Sequence, residues 1–71
     1  MPRLPRLSGK EVIERLERAG YVHARQRGNH VFLIHSKRPP TVVPLHDLIG
    51  PGLLRKILRQ TELTPEKFSE L

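Results

Sequence analysis

YVHARQRGNHVFLIHSKRPPTVVP, residues 21–44, decides between a helical chain and a mixed one. His30-Val31-Phe32-Leu33-Ile34-His35 is apolar and β-branched or aromatic at its centre, the composition of a strand. Tyr21 to Arg27 reads as a second strand, polar enough that only one face is expected to be buried. Between them Gly28-Asn29 suits a tight hairpin turn, where backbone φ must go positive. Ser36 to Pro40 is a basic loop, and Thr41-Val42-Val43 makes a short third strand that Pro44 ends or places at an edge. Alternation puts His30, Phe32 and Ile34 on one side and Val31, Leu33 and His35 on the other. Pattern alone leaves open which side meets the core.

Outward from this hairpin the period becomes helical. Upstream, Ser8-Gly9-Lys10-Glu11 has the form of a capping box. Val12, Ile13, Leu16 and Ala19 then recur on one face, and Gly20 can close a helix spanning about residues 9–19. Pro2 and Pro5 block regular hydrogen bonding, so residues 1–7 read as a flexible N-terminal arm. Downstream, Pro51 suits a first helical position, and Leu53, Leu54, Ile57 and Leu58 form a stripe beside Arg55, Lys56 and Arg59. Thr64-Pro65 caps a short C-terminal helix carrying Phe68. The order α-β-β-β-α plus a terminal helix predicts an α+β fold. Its sheet would be three-stranded and antiparallel, with the helices packed on one face. Residues 1–71 are expected to form a single domain.

Composition narrows the chemistry. Seventy-one residues bury roughly 60% of what the unfolded chain exposes, so stability is small. With no cysteine, disulfides, thiol catalysis and Cys-ligated metal sites are excluded. No apolar stretch approaches the roughly 20 residues of a membrane span. The charged start lacks the apolar core of a signal peptide, so a cytoplasmic chain with no membrane contact is expected. Thirteen Lys plus Arg against seven Asp plus Glu give a net charge of +6. Between Glu17 and Asp47 there is no acidic residue, whereas Arg18, Arg25, Arg27, Lys37, Arg38 and all four histidines fall there. Such a surface faces phosphates, and RNA is the expected partner.

Metal-free cleavage of RNA uses the ribose 2′-hydroxyl as nucleophile. It needs a base, a proton for the departing 5′-oxygen and cations around the phosphate. Histidine fits, because it holds either protonation state near neutrality. His30 at the mouth of the hairpin, beside Arg27, is the candidate. His46, next to Asp47, is a possible helper, whereas His23 and His35 read as surface or hydrogen-bonded structural residues. Histidine spacings of seven, five and eleven match no compact ligand motif, so neither a metal site nor a cofactor is expected. Arg25, Arg27, Lys37 and Arg38 are the candidate RNA contacts. Arg55, Lys56 and Arg59 read as a solvated helix face.

From Ser8 to Phe68 the chain resembles the HicA toxins, mRNA interferases of type II toxin–antitoxin pairs. The resemblance rests on a helix closing with Ala19-Gly20-Tyr21 and on Arg27-Gly28-Asn29-His30. It continues through Thr41-Val42-Val43-Pro44-Leu45-His46 and Gly52-Leu53-Leu54-Arg55-Lys56-Ile57-Leu58. It implies that His30 is catalytic and that Gly28 and Asn29 form the site turn. Asn29 stands where many members carry serine, and Val31 where many carry a second histidine. The resemblance further implies a fold like that of double-stranded-RNA-binding domains (dsRBD-like), an mRNA substrate and a HicB-like antitoxin covering His30. An acidic antitoxin surface would suit a basic toxin. A non-catalytic RNA-binding module, or a degenerate toxin that only binds its antitoxin, are the competing expectations.

Overall fold

The computed structural model describes residues 4–71. The elements run α1 (Gly9–Arg18), β1 (Val22–Arg27), β2 (His30–Ile34), β3 (Thr41–Pro44), α2 (Pro51–Thr61) and α3 (Pro65–Ser69). β1 pairs antiparallel with β2 and β2 with β3, giving a sheet of order β1-β2-β3. This is the α+β layout expected of the sequence.

Local chemistry starts each helix. Ser8 Oγ accepts from the Glu11 N–H while Glu11 Oε1 accepts from the Ser8 N–H, so two orphan donors of α1 are satisfied reciprocally. The bond from the Ser8 N–H is the largest influence holding the Glu11 carboxyl below its ordinary value. α2 opens with Pro51 at its first turn and ends at Glu62, whose φ of 59° is left-handed without being glycine. Thr64 Oγ1 caps α3 through the Lys67 N–H.

Val31 and Leu33 of β2 and Val43 of β3 face Val12, Leu16, Leu54, Ile57 and Phe68 in one core. His30, Phe32 and Ile34 therefore lie on the open side, which settles the alternation. Both α1 and α2 pack against β3. Every residue of β1 is exposed, so the half-buried strand expected there is not found: the helices sit too far across the sheet to cover it.

The flexible arm expected over residues 1–7 also needs correction among the described residues. Leu7 is buried and pairs with Ile49, whose N–H donates to the Leu7 carbonyl at 2.7 Å. Leu4 packs partly buried against the core. Apolar burial outweighs the local effect of Pro5 there. Met1 to Arg3 lie outside the described residues.

Candidate active site

The β1–β2 turn is built from two residues. Gly28 takes φ 58°, whereas Asn29 does not enter the left-handed region, so the positive φ falls on the glycine alone. The turn is pinned from both sides. Gln26 Nε2 donates to the Gly28 carbonyl at 3.0 Å, and the Leu45 N–H donates to the Asn29 carbonyl at 2.7 Å. Directly after it, His30 pairs with Arg27 on one side and with Pro44 on the other.

A register shift lies between His23 and Arg25, leaving Ala24 as the extra residue of a bulge. One inserted residue reverses which side chains face which side. Between the bulge and the turn Arg25 pairs with Phe32 and Arg27 with His30, both on the open face, and the bulge brings Val22 opposite Ile34 on that same face. A regular strand counted back from the turn would have kept both arginines there but placed His23 on the open face and Val22 on the other. The Arg25 guanidinium lies 4.5 Å from the Phe32 ring centroid, stacked on it. The open face thus joins His30, two arginines and an aromatic ring.

His46 lies at the same end of the sheet. It is exposed, two residues beyond Pro44, and its carbonyl accepts from the Gly9 N–H at 2.8 Å, which docks the start of α1 on this loop. A Cβ on Gly9 would run into the Pro44 carbonyl, so only glycine permits the approach.

Lys37 and Arg38 are elsewhere. They sit in the β2–β3 loop at the opposite end of β2 from His30, about 13 Å away along a five-residue strand. These two candidate RNA contacts therefore stand apart from Arg25, Arg27 and His30. Arg38 Nη1 donates to the Thr61 and Glu62 carbonyls, both at 3.0 Å, and so serves the C-terminus of α2. Lys37 is exposed, and its backbone N–H donates to His35 Nδ1 at 2.9 Å.

His35 takes the structural one of the two roles left open for it. With Nδ1 accepting from Lys37, Nε2 carries the proton and donates to the Ala19 carbonyl at 3.0 Å. Its ring centroid lies 4.9 Å from that of Tyr21. The Tyr21 hydroxyl in turn donates to the Pro39 carbonyl, and burial pushes the phenol above its ordinary value. His23 is exposed on β1. Among the described residues, His35 is the histidine whose ring is engaged by hydrogen bonds, and the imidazole of His30 has none. No group of three His, Asp or Glu side chains suited to a metal ion occurs among the described residues.

The family profile described as the HicA toxin of bacterial toxin–antitoxin systems matches residues 9–63. The chain belongs to the HicA toxin family. The match runs from the first residue of α1 to just past α2, taking in the bulged ribbon, His30 and His46. A HicA-family chain is the toxin of a toxin–antitoxin pair, so it has an antitoxin partner. None of the curated proteins matches the chain closely enough to count as a relative. Phe32 is the site residue that sequence reasoning missed. Its signal was its place two residues after His30, hence on the same face.

Proposed function

We propose that this HicA-family chain is a metal-independent endoribonuclease that cleaves mRNA in the cytoplasm and so stops translation. His30 is its general base. The carrying observation is an exposed imidazole with no hydrogen-bond partner among the described residues, paired across the hairpin with Arg27 on a face that also holds Arg25. The neutral ring takes the proton of the ribose 2′-hydroxyl. That oxygen bonds to phosphorus, and the bond to the 5′-oxygen breaks, leaving a 2′,3′-cyclic phosphate and a 5′-hydroxyl. The 5′-oxygen takes up a proton from water or from His46, which lies at the same end of the sheet. Arg27 and Arg25 offset the charge that accumulates on the phosphoryl oxygens.

The antitoxin is read as HicB-like. An acidic segment laid over Arg27 and His30 would neutralise the cations and exclude the RNA together.

Purified chain incubated with mRNA in EDTA tests the reaction. Wild type is expected to cleave. His30→Ala should lose about two to four orders of magnitude in rate with an unchanged thermal midpoint, since the ring is exposed. RNA binding without cleavage by the wild type would instead mark a binding module. Loss of both, with antitoxin binding retained, would mark a degenerate toxin.

A further inference from the structure

The open face carries a concavity that begins at Phe32, two residues along β2 from His30, and runs toward the β2–β3 loop. A cleft of about 340 Å³ lies between Arg25, Phe32 and Ile34 on one side and Pro40, Val42 and Gln60 on the other. Its walls are largely apolar, and Ile34 is 51% exposed. The Arg25 guanidinium stacked on Phe32 turns a single ring into a broader flat surface whose outer side is free to stack again. At the far wall the Thr41 hydroxyl donates to Gln60 Oε1 at 2.8 Å. That bond fixes the amide and leaves the Nε2 hydrogens as donors at the cleft edge. Phe32 follows His30 by two residues on one face, about 7 Å along the strand.

We propose that this cleft is a nucleobase subsite, holding one unpaired base of the RNA that flanks the phosphodiester whose cleavage His30 promotes. The proposal rests on the ribonuclease reading given above. Single-stranded RNA is recognised by stacking bases on aromatic rings and on arginine planes, with hydrogen bonds to their edges. This cleft offers both kinds of surface. Its cations, Arg25 here and Arg27 beside His30, lie where the flanking phosphates of such a strand would run. The Gln60 amide donors favour a base presenting an acceptor at its edge.

His30→Ala protein and short single-stranded RNA oligonucleotides, intact or lacking one base, test the subsite by fluorescence anisotropy, so that binding is read without cleavage. Arg25→Ala, at an exposed position, and Phe32→Leu, which keeps an apolar side chain, should each weaken binding about ten- to a hundredfold. Removing the base beside the scissile phosphate should cost as much. Combined with either variant it should cost no more, because both delete the same contact. Gln60→Leu should flatten any preference among homopolymers of the four bases. Additive losses, or variants that bind every oligonucleotide like the parent, would overturn the subsite. So would variants that lose antitoxin binding alone, which would make the cleft a protein-docking site. Wild type that binds as described but does not cleave would sink the ribonuclease reading and leave the subsite standing.

Discussion

His30 and His35 bracket one strand and have opposite roles, and their partners show why. The His35 ring is held between Ala19, Lys37 and Tyr21, so it ties the end of α1 to the exit of β2. It also fills the space over Gly20, where φ is 104° and a Cβ would meet Nε2. His35→Ala leaves the Ala19 carbonyl without this donor and is expected to cost about 1–3 kcal/mol in urea denaturation. Cleavage per folded molecule should stay near wild type. A variant of full stability that is inactive would contradict this division between the two histidines. His35 shows how far composition alone can go: a histidine beside a basic loop gives no sign of whether its ring is engaged until the fold brings Ala19 to it.

At the scale of elements, α1 is held to the site by its first residue. Replacing a helical glycine by alanine ordinarily stabilises by roughly 0.5–1 kcal/mol. At Gly9 the added methyl group meets the rigid Pro44 backbone, and the sign should reverse to a net loss of about 1–3 kcal/mol. Ser8→Ala, which removes only the cap, is expected to cost about 1 kcal/mol. Chemical denaturation of both variants ranks them, and a stabilised Gly9→Ala would show that the helix does not rest on β3. The capping box, the Gly28 turn, the strand order and the Thr64 cap were all legible because each has a local chemical signature. The Ala24 bulge was not. Nothing in the composition of Val22 to Arg27 marks which residue is left unpaired, yet that residue determines which of Val22 and His23 shares the open face with the arginines. The bonds of Arg38 were not legible for a related reason: its partners, the last carbonyls of α2, lie more than twenty positions away in the chain.

For the whole molecule, the charge separates into two ends of one sheet. Arg27 lies at the His30 end and Lys37 at the other. Each phosphate contact to single-stranded RNA contributes about −0.7 to the slope of log affinity against log salt. Arg27→Ala should therefore flatten that slope by roughly this amount, while Lys37→Ala leaves it unchanged. Equal effects from both would mean that RNA spans the full length of the sheet.

The uncovered β1 has a further consequence, one of timing. An edge strand without a helix beneath it is held by its ladder to β2 alone, so it opens at lower cost than the core it pairs with. Backbone amides of Val22 to Arg27 should exchange with deuterium well before those of Val42 and Val43. A bound antitoxin that grips this strand would slow the exchange there first. The part of the molecule that carries its proposed chemistry would then also be the part whose breathing reports whether the toxin is restrained.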